Sequence, residues 1–145
     1  YDLHVRLRQR PHAEERCDRA ASGVTVDDYG VEQATLVGGV VERVQYSPGK
    51  FINASFDKAS VHNERNALVV RTHADKKFAV VQIAGLVARR IVNCVQAGEQ
   101  IKKGERYGMI QFGSRLDLYL PLDFEVCVKI GDKTKAGTTV IGIMN

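Results

Sequence analysis

From Val37 onward the apolar positions recur in short β-branched and aromatic runs, each cut off by Gly, Pro, Asn or Asp. Runs of that length with turn residues at both ends predict strands rather than helices. Strands are expected at Val40 to Tyr46, Ala67 to Thr72, Phe78 to Ala84, Ile91 to Val95, Tyr107 to Phe112, Leu116 to Leu120, Val126 to Ile130 and Thr139 to Ile143. In one of them Leu116, Leu118 and Leu120 alternate with Asp117 and Tyr119, the period of a strand with one apolar face. The fold class implied is mostly β: a compact β-sandwich or barrel-sandwich-like single domain with little helix.

Residues 5 to 33 break this pattern. They are Arg-rich and acid-rich through Asp18, continue as Ala20-Ala21-Ser22-Gly23, and show no clear strand alternation. A polar helix over Arg6 to Arg19 and a loop beyond it are expected. Farther on the chain echoes itself. Cys94-Val95-Gln96-Ala97-Gly98-Glu99 followed by Lys103-Gly104 returns as Cys127-Val128-Lys129-Ile130-Gly131-Asp132 followed by Ala136-Gly137. Each copy reads as strand, Gly-acid turn, basic linker and Gly turn, with the glycines supplying positive φ where the chain reverses. Pro48-Gly49 reads as another reversal.

A chain of 145 residues bounds one domain with a core of its own. Cys17, Cys94 and Cys127 have no CxxC spacing, so neither a disulfide framework nor a zinc site is indicated, and buried thiols in a reducing compartment are expected. The net charge of +4 is uneven: residues 1 to 33 hold five Arg against seven Asp or Glu, and residues 34 to 145 hold sixteen Lys or Arg against ten acids. That basic part could hold the chain at anionic lipid headgroups, at about 1 kcal/mol per well-placed cation, or be an ordinary solvated surface. No nucleic-acid partner is expected. No apolar stretch approaches the roughly 20 residues that cross a bilayer. The start at Tyr1, without initiator Met or signal peptide, reads as truncation upstream.

The pair that carries chemistry is Gly113-Ser114, inside Tyr107-Gly108-Met109-Ile110-Gln111-Phe112-Gly113-Ser114-Arg115-Leu116-Asp117-Leu118-Tyr119-Leu120-Pro121. Taken alone it is also a common turn dipeptide. Here it interrupts two predicted strands, and a cut there could separate strands that stay paired in one sheet. The hydroxyl of Ser114 can attack the carbonyl carbon of Gly113, which glycine leaves sterically open. The amide becomes an ester. Elimination across Cα and Cβ of Ser114 then leaves dehydroalanine, whose hydrolysis leaves a pyruvoyl group on the new chain start.

Three further blocks accompany this one: Tyr46-Ser47-Pro48-Gly49-Lys50-Phe51-Ile52-Asn53-Ala54, then Asp57-Lys58-Ala59-Ser60 with Asn63-Glu64-Arg65-Asn66, then Val80-Val81-Gln82-Ile83-Ala84-Gly85-Leu86-Val87-Ala88-Arg89-Arg90-Ile91-Val92. With them the sequence resembles the pyruvoyl-dependent phosphatidylserine decarboxylase family, most closely its compact prokaryotic form, which includes archaetidylserine decarboxylases. The resemblance runs from about Gly38 to Gly137 and also implies a compact β-sandwich. It further implies self-cleavage between Gly113 and Ser114, a pyruvoyl cofactor made from Ser114, and no metal. The reaction implied is decarboxylation of phosphatidylserine or archaetidylserine through a Schiff base to the ketone, which acts as electron sink.

Under the same resemblance His4 is the candidate acid or base, because Asp2-Leu3-His4-Val5 is similar to the family's Asp-Val-His-Val stretch and an imidazole titrates near neutrality. Arg115 could meet a lipid phosphate with its guanidinium fork, or form a cross-strand ion pair. Asn63, Glu64, Arg65 and Asn66 could hydrogen-bond to loops near the site or form a polar turn, and His12, His62 and His73 read as surface residues. Implied partners are the aminophospholipid, an anionic membrane surface at the cytoplasmic face, the associated β and α chains of one precursor, and a possible homo-oligomer. Two departures stand out: residues 5 to 33 have no counterpart in the family, and the Asp-Gly motif whose Asp assists self-cleavage is not among these residues. Two rival readings are a lipoyl- or biotinyl-like carrier domain modified on Lys58, and an inactive lipid-binding homologue.

Overall fold

In the computed structural model, which describes residues 3–9, 23–27, 30–53, 59–87, 90–111, 114–133 and 139–144, the regular structure is almost wholly strand. In chain order they are β1 (Leu3–Gln9), β2 (Gly23–Asp27), β3 (Gly30–Ala34), β4 (Gly39–Ser47), β5 (Arg65–Arg71) and β6 (Lys77–Ala84). Then follow β7 (Ile91–Asn93), β8 (Gln100–Ile101), β9 (Arg106–Ile110), β10 (Ser114–Leu120), β11 (Phe124–Val126) and β12 (Gly142–Met144). A single helical turn, α1 (Ala59–His62), precedes β5. A six-stranded sheet has the order β1-β10-β6-β5-β4-β8, a four-stranded sheet the order β2-β3-β9-β7, and β11 pairs with β12 alone.

The period of two decides what is buried. β5 buries Asn66, Leu68 and Val70, β6 buries Phe78, Val80 and Gln82, and β10 buries Leu116, Leu118 and Leu120. Apart from Asn66 and Gln82, these side chains form one apolar cluster with Val41, Ile101, Tyr107 of β9 and Phe124 of β11, closed by Val95 and Ile141 from connecting segments. A smaller cluster of Ala84, Ile91 and Ile110, with Phe51 against it, sits where β6 ends. It holds β7 and β9 of one sheet to the end of β6 in the other.

The turns of the internal echo share one construction. Gly98, Gly104 and Gly131 all have positive φ, the conformation for which glycine was expected. In each turn the acid after the glycine, Glu99, Glu105 or Asp132, accepts through its carboxylate from the backbone N–H three residues earlier, at Gln96, Lys102 or Lys129. Its own N–H returns a bond to that residue's carbonyl.

Several expectations are corrected. Residues Arg6 to Gln9 are not helical: β1 runs through them, paired in parallel with β10 from Leu3 opposite Ser114 to Gln9 opposite Leu120. Leu3, Val5 and Leu7 alternate with His4, Arg6 and Arg8, a strand period that the charge density of the segment obscured. The expected loop contains the hairpin β2–β3, and the rest of the proposed helix lies outside the described residues. At the far end β11 stops at Val126, because Lys129–Asp132 are taken up by the turn just described. Cys94 and Cys127 are exposed rather than buried. The strands before and after Gly113-Ser114 are not neighbours: β9 pairs with β3 and β7, β10 with β1 and β6.

Candidate active site

Between Ile110 and Ser114 the chain thus passes from the four-stranded sheet to the six-stranded one. Ile110 is still paired with Val31 and Ile91, whereas Ser114 is already paired with Leu3 on one side and Ala84 on the other. His4 lies opposite Arg115, one register position from Ser114. Strand pairing therefore brings together two of the expected site residues that stand 110 positions apart in the chain. Gly113 lies outside the described residues, as do His12 and Lys58. His62 and His73 are exposed, as expected.

Ser114's partner Ala84 is pinned from two directions. Asn63, fully buried, donates through Nδ2 to the carbonyls of Ala84 and Ile52, both at 2.7 Å, and accepts through Oδ1 from the Ile52 N–H at 3.2 Å. Glu64 accepts the Ala84 N–H on its carbonyl at 3.0 Å and the Ile91 N–H on its carboxylate at 3.1 Å. Its charge and hydrogen bond also hold the phenol of Tyr46 above its ordinary pKa, after the larger contribution of desolvation. Of the two readings of this quartet, hydrogen bonding to loops near the site is the one observed for Asn63 and Glu64. Gly49 has a different job from the one expected: its φ is ordinary, and a Cβ there would come within 2.4 Å of the Asn63 backbone. Close approach, not reversal, requires the glycine.

Replacing Asn63 with Ala strands the Ile52 and Ala84 carbonyls and the Ile52 N–H. A loss of about 2–4 kcal/mol is expected, since each buried group left without a partner costs about 1–3 kcal/mol. Chemical denaturation of Asn63→Ala against the parent checks it, and a loss under about 1 kcal/mol refutes the clamp.

Beside this clamp the apolar core gives way to amides. Asn66 Nδ2 donates to Gln82 Oε1 at 2.9 Å and reaches Asn93 Oδ1 at 3.4 Å, and Asn93 Nδ2 donates to the Val95 carbonyl at 2.6 Å. Asn66 is 1% exposed, yet its Oδ1 has no hydrogen-bond partner. Gln82 pairs with Leu116, two positions along from the Ala84–Ser114 pair, so the orphaned acceptor lies on the strand next to β6 at the Ser114 end of the core. A buried acceptor without a donor is costly unless a ligand or group supplies one.

Arg115 meets a partner on its own strand. Its Nε and Nη2 fork onto Oδ1 and Oδ2 of Asp117 at 2.7 and 2.9 Å, within one strand, and both residues are almost wholly buried.

The sequence pattern that describes phosphatidylserine decarboxylase matches residues 12–142. The chain belongs to the phosphatidylserine decarboxylase family. A phosphatidylserine decarboxylase proenzyme from Solidesulfovibrio magneticus is 59% identical over 105 residues, which cover 72% of this chain and 49% of that protein. Similar proenzymes from Burkholderia ambifaria and Cupriavidus taiwanensis are 54% identical over 109 residues and 56% over 106. Those matches cover 75% and 72% of this chain, and 51% and 49% of the relatives. The chain spans about half the length of the curated relatives it matches. No solved structure gives a significant match.

The blocks that carry the phosphatidylserine decarboxylase resemblance gather at one end of the sandwich. From those blocks Asn63 ties Ile52 to Ala84, the partner of Ser114, and Glu64 ties Ala84 to Ile91. Among the described residues no His, Cys, Asp and Glu group is arranged to hold a metal ion. Asp117 and Asn93 were missed by the sequence reading. Asp117 was legible in principle, since Arg115 and Asp117 share a strand face at spacing two. Asn93 was not, because only the approach of β7 to β5 brings it to Asn66.

Proposed function

We propose that the protein carrying this chain is a proenzyme that cuts itself between Gly113 and Ser114 and then decarboxylates phosphatidylserine or archaetidylserine. The observation that carries the reading is the position of Ser114: first residue of a strand bounded on both sides, directly after a crossing between sheets. In the cleavage, Ser114 Oγ attacks the Gly113 carbonyl and an ester replaces the amide. Loss of the Ser114 α-proton expels the Gly113 carboxylate. Water then converts the dehydroalanine to a pyruvoyl cap and releases ammonia.

The residues beside Ser114 suit an amine-bearing substrate brought to that group. The orphaned Oδ1 of Asn66 offers a buried acceptor to a donor that the folded chain lacks, such as the ammonium of a serine headgroup. Once formed, the pyruvoyl group supplies an electron sink for loss of carbon dioxide. The work of the chain is to hold it. Ala84, clamped by Asn63 and Glu64, keeps the start of β10 in register, and the Arg115–Asp117 fork fixes the next positions. His4, on the adjacent strand, is the proposed proton donor and acceptor. The part assigned to Arg115 is the hold on Asp117 rather than contact with the lipid phosphate.

Continued association of the two products follows from the same topology. The downstream piece contributes β10, held between β1 and β6 of the upstream piece. Phe124 meets Phe78 edge-on at 6.1 Å, and the buried ammonium of Lys76 pairs with Asp123. These contacts cross the cut and do not need the bond. No helix among the described residues is long and apolar enough to cross a membrane, and the proposed location is the cytoplasmic membrane face, held peripherally.

Intact mass of the full-length gene product tests the reading, with a pyruvoyl-capped fragment starting at position 114 and carbon dioxide release from phosphatidylserine as the expected results. An uncut chain, or an acyl or biotinyl mass on Lys58, overturns it. Cleaved protein without release would favour the inactive homologue. In cleaved protein His4→Ala is expected to slow release by roughly 10²–10⁴, the usual contribution of a positioned acid or base. Rates normalised to the cleaved fraction check it, and an unchanged rate removes His4 from the scheme.

A further inference from the structure

The segment joining β6 to β7 leaves the sheet at Ala84 and presents Leu86 and Val87 to solvent at 64% and 63% exposure. Its two ends are tied to the segment that follows α1: Asn63 holds the Ala84 carbonyl, and the Glu64 carboxylate holds the Ile91 N–H. Val61 of α1, 64% exposed, belongs to the same end, since the Arg65 guanidinium donates to its carbonyl. Tyr46, 56% exposed, pairs with Asn66 there. Four large apolar side chains are therefore exposed at the end of the molecule where Ser114 begins its strand.

The charges around them have one sign. Lys50, His62 and Arg90 are exposed and Arg65 half-buried, and Arg90 accepts the Gln111 N–H on its carbonyl, at the entry to the Gly113-Ser114 crossing. In residues 46–53, 59–66, 83–87 and 90–95, Glu64 is the acid present among the described residues, and it is buried with its carboxylate on Ile91. Two other exposed apolar residues have acidic neighbours: Leu122 stands beside Asp123, and Ile130 is two residues from Asp132. An apolar tip ringed by cations is the pattern that enters a lipid interface, the side chains reaching the acyl boundary and the cations meeting headgroup phosphates.

We propose that Leu86 and Val87, with Val61 and the rim of Lys50, Arg65 and Arg90, form the surface by which this chain docks on an anionic bilayer, its Ser114 end toward the membrane. The proposal deepens the decarboxylase reading, on which it rests only for the substrate being held in that bilayer.

The chain contains no Trp, so the emission that Leu86→Trp adds to that of the parent full-length protein reports on the tip. Vesicles of phosphatidylserine and phosphatidylcholine are expected to shift its emission to the blue, and vesicles of phosphatidylcholine alone to do so less. The double variant L86D/V87D is expected to partition onto the mixed vesicles at least tenfold more weakly, with L122D unchanged, and K50E/R90E is expected to lose the preference for anionic lipid. Equal partitioning of L86D/V87D and parent overturns the proposal. So does a reporter already blue-shifted before vesicles are added, which would mean that protein covers the tip. A short-chain phosphatidylserine below its micelle concentration separates the two readings. L86D/V87D should keep the parental rate on that monomer and lose it on vesicles. If the parent docks through the tip yet releases no carbon dioxide from either substrate, docking stands and the decarboxylase reading falls.

Discussion

Ser114→Ala is expected to leave one uncut chain and no decarboxylation. Alanine has no hydroxyl to attack the Gly113 carbonyl and no leaving group for the elimination that follows, so both cleavage and the ketone are lost at one atom. The fold should survive, because residue 114 joins the sheet through backbone pairing with Leu3 and Ala84, which alanine makes equally well. Intact mass, a denaturing gel and carbon dioxide release read the three consequences side by side, with a melting curve close to that of an uncut parent. A loss beyond about 10⁶ in rate is in keeping with removal of the whole catalytic group rather than an accessory. Fragments divided at this bond in the variant, or residual decarboxylation, would sink the assignment of Ser114.

The second large effect belongs to the ion pair behind that serine. Arg115 and Asp117 are 3% and 1% exposed, and their fork leaves neither charge in contact with water. Arg115→Ala leaves a carboxylate buried alone, which costs about 3–5 kcal/mol, a fall in Tm on the order of 10 °C for a chain of this size. Replacing both members, as Arg115→Met with Asp117→Leu, should cost far less than the sum of the two single changes, because no lone charge remains. Denaturant melts of the cycle measure this. A phosphate-binding Arg115 predicts the opposite profile: unchanged stability and a raised KM. An Arg115→Ala protein within about 1 kcal/mol of the parent would return the residue to that role.

Much of this site was open to a reader of the chain alone. The Gly113-Ser114 pair carries its chemistry in adjacent atoms, and the turns at Gly98 and Gly131 carry theirs in four consecutive residues. β1 was the instructive failure. Its alternation of Leu3, Val5 and Leu7 with His4, Arg6 and Arg8 is a plain strand period, but the dense charge that follows drew the reading toward a helix, and only the parallel pairing with β10 gives the segment a place. Asn63 and Asn66 were visible as a polar cluster, whereas their separate tasks, one clamping Ala84 and the other meeting Gln82 and Asn93, depend on partners 16 to 27 residues away.

By itself the amino-acid sequence determined the mostly β character, the turn glycines, the Gly113-Ser114 pair on which the proposed cleavage rests, and the family. Each of these rests on residues that touch in the chain or repeat with a local period. Only the tertiary structure decided that the chain crosses from one sheet to another between Ile110 and Ser114, that β10 is held between β1 and β6, and that the Arg115 guanidinium forks onto Asp117. Strand partners are chosen by burial of whole faces against one another, and no short stretch of sequence states which face it will meet.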